Sequence, residues 1–367
     1  MNMMFLLIIL LPVFISTMFI PYWTRRTESF GISIPEEIYY TDRIKKLRSQ
    51  YVLYSGISAI LVTILFLVLG SLNEINTNTF NIYFTVLIFL YLLIHFLIYL
   101  RFHKVMKNLK QTEKWGQEKP QQVFIDTEFR KQKLNHSNLW FAVSFLITFA
   151  TIAITFKFYN RIPEQMPMQY NFDGEVTNTV TKTPRTVLAM PIMQLYLTLL
   201  FMLLNTMIAK AKQQISAEKP EESMKQNVIF RRRWSAYLIG TGIGLSLLFT
   251  FIQLSFIYSI NSDLITIVPL AFTVILTLWA IVLSITTGQG GSRVKISTDT
   301  NGEVIDRDHD KHWKLGVIYF NPYDPAIFLE KRFGVGWTVN FARPIAWITF
   351  IVIILLIIAI PILMGIY

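Results

Sequence analysis

The sequence predicts an all-α polytopic membrane protein of about eight transmembrane helices, carrying a small β-containing cytoplasmic module. Three observations lead there. Of 367 residues, 53% are hydrophobic and only 16% charged, where soluble domains carry about 25% charged residues. Eight nearly charge-free stretches, at roughly 3–23, 52–72, 80–100, 139–158, 187–209, 236–259, 265–286 and 345–366, are each long enough for a hydrocarbon core, which takes about 20 apolar residues. Finally, the basic residues fall in alternate loops.

That alternation sets the topology. The segment 24–51 holds six Lys and Arg (Arg25, Arg26, Arg43, Lys45, Lys46, Arg48), 101–138 holds nine, 210–235 seven and 287–344 eight. The intervening segments 73–79 and 260–264 hold none, and 159–186 holds three. Basic residues are retained on the cytoplasmic side, so both termini are expected outside a multi-pass plasma-membrane protein. The first stretch has no basic residue before it and Arg25–Arg26 after it. This reverses the charge order of a signal peptide, and the stretch reads as a retained helix. The net charge of +11 is then a topology signal and an attraction to anionic lipid headgroups; the bilayer is the expected partner and nucleic acid is not. With no cysteine there is no disulfide, Cys-ligated zinc or thiol chemistry.

Four units follow: an N-terminal membrane unit at 1–138, a central membrane unit at 139–286 with an outside loop at 159–191, a cytoplasmic module at 287–344, and a final transmembrane helix at 345–367. In the first, Pro35 followed by Glu36 and Glu37 reads as a helix start, with Ile38, Ile44, Leu47 and Tyr51 recurring near helical spacing. Phe102, Val105, Met106 and Leu109 form an apolar stripe opposite Lys104, Lys107 and Lys110. It fits either a helix in the membrane interface or a continuation of the span into water. Gly240 and Gly244, four apart, suit close helix packing. Between Asp306 and Asn340, clusters of β-formers separated by turns predict short strands, and Arg343–Pro344 leads into the last span.

The outside loop is the most distinctive stretch. Pro163 and Pro167 bias it toward extended backbone, and Asn171–Gly174 is a turn signal. Met166, Met168, Tyr170 and Phe172 beside Gln169 and Asn171 suit an adaptable binding surface; a plain connector between spans is the alternative. Glu164, Asp173 and Glu175 have no histidine beside them, and the chain lacks His-Glu-x-x-His and Gly-x-Ser-x-Gly. No enzymatic activity and no cofactor are expected. In Asp306–His312, Asp-x-Asp-x-Asp opens like a calcium loop, but Lys311 and Val317 stand where glycine and glutamate are needed. A weak transition-metal site from His309, His312 and a carboxylate, and a solvated turn, both stay open there, and no metal is assigned. Gly288–Arg293 lacks the ending of a phosphate-binding loop and reads as a flexible exit from the membrane. His95, inside a span, is either a hydrogen-bonded structural residue or a proton relay. Asn205, Thr250 and Gln253 either line a path or bond neighbouring helices.

Pro163-x-x-Met166-Pro167-x-Gln169-Tyr170-Asn171-x-x-Gly174, followed by Lys182 and Pro191, resembles an uncharacterised bacterial membrane domain. That domain is shared with the SdpI-like immunity proteins, named for protection against a sporulation-delaying toxin. The family pattern generally has histidine where this chain has Gln169, which cannot titrate near neutral pH. Separately, His312-Trp313-Lys314-x-Gly316, then Tyr319-x-Asn321-Pro322-x-Asp324-Pro325, then Lys331-Arg332-x-Gly334-x-Gly336-Trp337-x-x-Asn340 resembles a second uncharacterised domain, often appended to the first in Gram-positive membrane proteins. The resemblance implies toxin immunity or envelope-stress signalling. The outside loop (Pro163, Pro167, Gln169, Tyr170, Asn171, Gly174, Lys182) would bind a membrane-active peptide or toxin. The module (Trp313, Gly316, Asn321, Pro322, Asp324, Arg332, Gly334, Trp337, Asn340) would report to a cytoplasmic regulatory protein. A transporter or lipid-handling permease is the alternative.

Overall fold

The computed structural model describes residues 3–71, 77–115, 121–122, 132–170, 176–296, 305–306 and 310–364. In chain order it contains α1 (Met3–Trp23), β1 (Glu28–Ser29), β2 (Ile32–Ser33), α2 (Glu36–Tyr39), α3 (Asp42–Ser71), α4 (Thr77–Thr112), β3 (Gln121–Gln122) and α5 (Ala142–Lys157). There follow β4 (Gln165–Tyr170), β5 (Val176–Thr181), α6 (Ala189–Lys210), α7 (Pro220–Ser255), α8 (Ser262–Thr287) and β6 (Ile305–Asp306). The chain continues through β7 (Trp313–Lys314), β8 (Ile318–Tyr319), β9 (Phe328–Glu330), β10 (Trp337–Val339) and α9 (Pro344–Met364). Among the described residues, seven helical runs are long and apolar enough to cross a membrane, from Asp42–Leu69 through Pro344–Leu363. The first expected span is also helical, with Leu10–Trp23 as its described apolar part. The molecule is a helical assembly that fits a multi-pass membrane protein, with small β-hairpins at its ends.

The helices pack in two groups. α1, α3 and α4 form the N-terminal unit around Leu10, Phe14, Val62, Phe66, Leu87 and Tyr91. α5, α6 and α7 form the central unit, and α8 touches both α7 and α1. Gly240 and Gly244 of α7 receive the rings of Trp279 and Phe272 of α8, the packing role expected of them. α9 stands apart: Ala346 is its one buried side chain among the described residues.

Three helices overrun the expected spans at one end. α3 begins at Asp42 instead of 52, α4 runs to Thr112 instead of 100, and α7 begins at Pro220 instead of 236. Hydropathy marks only the apolar layer; these helices continue beyond it because their stripes find protein to pack on. α7 is 36 residues, about 54 Å at 1.5 Å per residue. The Phe102–Leu109 stripe is therefore a continuation of its span and no separate interfacial helix. Phe102, Met106 and Leu109 are buried against Phe30, Ile34, Tyr39, Ile44 and Tyr51, while Val105 stays exposed. Pro35 does start a helix, but α2 lasts only four residues before α3 restarts at Asp42.

At the same end lies the module. Two antiparallel hairpins, β7–β8 and β9–β10, are joined by a bridge between Tyr319 and Asn340, over a small core of Trp313, Tyr319 and Leu329. β3 and β6 pair in parallel nearby. The opposite end of the central unit carries the β4–β5 hairpin, formed by the loop between α5 and α6.

One reading fails here. Gly288–Arg293 is no flexible exit: Gln289, Gly290 and Gly291 are buried in a tight turn. Gly290, at φ 63°, lies against the Arg25 guanidinium, and Gly291, at φ 83°, against the backbone of Gln226. Only glycine tolerates both the left-handed backbone and that approach. The Gln289 side chain closes the turn onto β10, donating to Gly336 O and accepting from Gly336 N at 2.9 and 2.7 Å.

Candidate functional site

Three connected features make up the candidate site: the hairpin, the module, and a polar seam through the helices between them. The hairpin is held by apolar packing. Met166 is fully buried with Ile162, Val187, Phe256 and Ile257, and Ile154, Phe158, Met168 and Ile252 flank them. Strand alternation puts its neighbours outward: Gln165 and Gln169 are exposed, Pro163 before them is exposed, and Pro167 is half-buried. A register shift between Pro167 and Gln169 interrupts the ladder, a bulge of the kind that re-aims side chains. Lys182 sits at the base. Its ammonium donates to Ile162 O at 2.9 Å, pairs with Glu164 at 2.8 Å and lies 5.1 Å from the Tyr159 ring. That residue braces the hairpin, which leaves Pro163 and Gln169 as the expected binding residues on its open face. Tyr170 is placed by its backbone alone, and Asn171 and Gly174 lie outside the described residues.

The seam runs down the inside of α5, α6 and α7, where Ser144, Thr148, Thr151, Thr155, Gln194, Thr198, Asn205, Ser235, Ser246 and Gln253 are all buried. Next to the hairpin, Gln253 Nε2 donates to Val187 O at 3.1 Å. Further along, Gln194 Nε2 donates to Ser246 O and to Thr250 Oγ1, and Thr250 shares a 2.8 Å bond with Thr151. Then Asn205 Nδ2 donates to Asn138 Oδ1 and His136 O while its Oδ1 accepts from Ser235 Oγ at 2.6 Å. In an apolar layer such bonds average about 0.6 kcal/mol each. Asn205, Thr250 and Gln253 are thus interhelical partners. His95 is likewise bonded across helices, its Nε2 2.8 Å from Tyr51 Oη.

The seam ends on the module. Arg231 of α7 is fully buried: its guanidinium donates to Ile208 O at 2.7 Å, Ala211 O at 3.0 Å, Lys212 O at 3.0 Å, Asn227 Oδ1 at 2.7 Å and Glu330 Oε1 at 3.3 Å. Glu330 of β9, also fully buried, accepts from Asn227 Nδ2 at 2.7 Å and pairs with Arg25. One carboxylate therefore joins the end of α1, the α6–α7 pair and the module. Buried charges persist only when paired and hydrogen-bonded, and here each is.

Around this hub the expected module residues are mostly framework. Asn340, fully buried, donates to Asn321 O and Asp324 O and accepts from Asn321 N and Ala342 N. Asp324 accepts from Lys212 Nζ and Tyr319 Oη, both at 2.7 Å, and from Ala326 N at 3.0 Å. Burial pushes its carboxyl up, but these three donors win and hold it below the ordinary value. Burial pushes the Tyr319 phenol up to about 12, a rise its bond to Asp324 reinforces. Pro322 sits in the Asn321–Asp324 turn. Trp313 lies under the Arg332 guanidinium, and Arg332 pairs with Glu28 and Asp310. Asp310 also takes Lys110 at 2.7 Å. Gly334 N donates to Thr24 Oγ1, and Trp337 packs 4.9 Å from the Phe230 ring. Gly316, at φ 72°, meets Tyr99 and His103 of α4 and the backbone of Gly31 in the β1–β2 turn. That contact is tied by Tyr99 Oη to Leu315 O and by His103 Nδ1 to Phe30 O, both at 2.8 Å. The module thereby grips both helix groups.

Of the Asp306–His312 cluster, Asp308 and His309 lie outside the described residues, and Asp306 is placed by its backbone alone. Among the described residues no group of three or more His, Asp or Glu side chains converges to hold a metal ion. Asp310 is engaged by cations instead.

Sequence reasoning missed Arg231, Glu330, Asn227 and the half-buried, ion-pairing role of Arg25 by counting Arg25 and Arg231 as loop charges. A signal was present: Asn227, Arg231, Ser235, Gly242, Ser246 and Gln253 recur at helical spacing on one face of α7.

Comparison with known families agrees on the two regions. Residues 146–195, spanning most of α5 through the start of α6, match a domain of unknown function, DUF1648. Residues 322–347, from the module into α9, match a family of unknown function, DUF5808. No curated protein and no solved structure matches the chain.

Proposed function

We propose that this is a plasma-membrane protein that senses, or gives immunity to, a membrane-active peptide or toxin, with the hairpin outside and the module in the cytoplasm. The supporting observation is that the hairpin and the module sit at opposite ends of the same three helices, whose inner faces carry a row of buried polar side chains bonded in separate groups. The ligand meets the open hairpin face at Pro163 and Gln169. Its binding changes the packing of Met166 and Ile162 on α5–α7, and a shift of α6 against α7 loads the Arg231–Glu330 contact. It does so only if the ligand binds the two helix arrangements with different affinity. The module then presents a changed surface to a regulatory partner. The resemblance of the 163–191 pattern to SdpI-like immunity proteins points the same way. A transport or lipid-handling role is less well supported, because Asn205, Thr250 and Gln253 are committed to helix–helix bonds.

The test is a killing curve. Cells lacking the protein and cells carrying it are exposed to a panel of membrane-active peptides and secreted bacterial toxins. Selective sensitivity of the deletion strain, restored by the intact protein but not by a normally inserted P163A/Q169A variant, supports the reading. Equal survival of both strains across the panel contradicts it.

A further inference from the structure

Where α5, α6 and α7 leave the apolar layer at the module end, an open cavity of about 970 Å³ is lined by Gln132–Ser137, Ala209, Lys210 and Arg232. That is the upper end of the size range of small-molecule sites. Three of its side chains, Lys133, Lys210 and Arg232, are cationic, and none of its described lining residues is acidic. Among the described residues no ion pair engages any of the three. The contrast with the neighbouring cations is informative, since Arg231, Lys212 and Lys110 are all paired. Arg232 Nε donates to Lys133 O at 2.8 Å, which fixes the guanidinium at the rim. Among the described residues its remaining donors meet no acceptor, which leaves them for an oxygen ligand. Asn135 Nδ2 donates to Asn205 O, anchoring the floor to the seam. Beside the cavity the chain turns into the span with Leu139 82% and Trp140 58% exposed, the amphipathic and apolar pair that suits a lipid boundary.

We propose that this cavity binds the phosphate-bearing headgroup of an anionic glycerophospholipid, with the acyl chains running along the exposed start of α5. A phosphodiester supplies the acceptors that an Arg–Lys cluster lacks here, and a lipid, unlike a soluble phosphate ester, also covers Leu139 and Trp140. The site is independent of the hairpin reading.

The test uses the purified full chain in detergent, measured by native mass spectrometry after exchange with mixed micelles of phosphatidylcholine and phosphatidylglycerol. A Lys or Arg near an anionic surface contributes about fivefold in affinity. The triple variant K133Q/K210Q/R232Q is therefore expected to lose phosphatidylglycerol retention by about a hundredfold. The single K210Q variant, which leaves the Arg232–Lys133 bond intact, should lose about fivefold. A K104Q/K107Q variant, altering α4 charges at the same end, should retain lipid as the intact chain does. Glycerol 3-phosphate should compete poorly. The proposal is overturned if phosphatidylcholine is retained equally well, if K104Q/K107Q matches the triple variant, or if glycerol 3-phosphate displaces the lipid at equal concentration.

Discussion

The two ends of the central helix unit are built on different physics. At the hairpin end the contacts are apolar: Met166, Ile162, Val187, Phe256 and Ile257 close on one another, and the Lys182–Glu164 pair is exposed on its carboxylate side. At the module end the contacts are ionic and buried, and Glu330 holds Arg231, Arg25 and Asn227 at once. Apolar packing is non-directional, so the hairpin can be displaced and re-seated at modest cost. A buried charge set is satisfied in one geometry and fails if one member shifts. The lesson is a division of labour, with an adaptable surface at one end and an exacting latch at the other.

Removing the latch should have the largest effect. E330A leaves Arg231 and Arg25 facing a buried vacancy and is expected to cost about 3–5 kcal/mol, read as a fall in the unfolding midpoint of the purified protein. R231M should cost less, because Glu330 keeps Arg25 and Asn227. At the other end, M166A opens a void in a fully packed position and is expected to cost about 2–5 kcal/mol. If E330A proved milder than M166A, the contrast between the ends would be broken.

Acid should sharpen the contrast through Asp324. Its folded carboxyl titrates below the ordinary value of 3.8. Its contribution is therefore fully present above that ordinary value and is lost as pH falls through the lower folded one. Module tryptophan fluorescence, followed from about pH 7 to about pH 3, should show loosening at the acid end, and D324N should flatten that part of the profile. The smallest effect is expected for Q169A. This exposed residue should shift stability by no more than about 0.5 kcal/mol, while protection in the killing assay falls if the open face is the binding face.

How much of this was legible follows from the signals each feature emits. The spans were readable because apolar runs of that length leave few alternatives in water. The hairpin's extended backbone was readable from Pro163 and Pro167, and the module's strands from β-formers between turns. The overhangs of α3, α4 and α7 were hidden, since a polar helix surface looks the same whether it meets water or a module. Arg231 and Arg48 were hidden for a related reason. Counted as loop charges, both are buried, Arg231 on Glu330 and Arg48 3.9 Å from the Tyr39 ring. Glu330 lies 99 residues from Arg231, and nothing in a stretch of loop charges marks which cation will be covered by a ring such as Tyr39. The Gly288–Arg293 turn was misread as flexible because glycine serves loose linkers and close backbone approach equally well.

The most direct test of the central claim, that α5–α7 couple the two ends, is amide hydrogen exchange in the module strands of the M166A variant against the intact chain. The account predicts faster exchange at Phe328–Val339 as well as in the hairpin, though Met166 packs at the opposite end of α5–α7. Exchange changed only within 159–191, with the module strands protected as before, would contradict it.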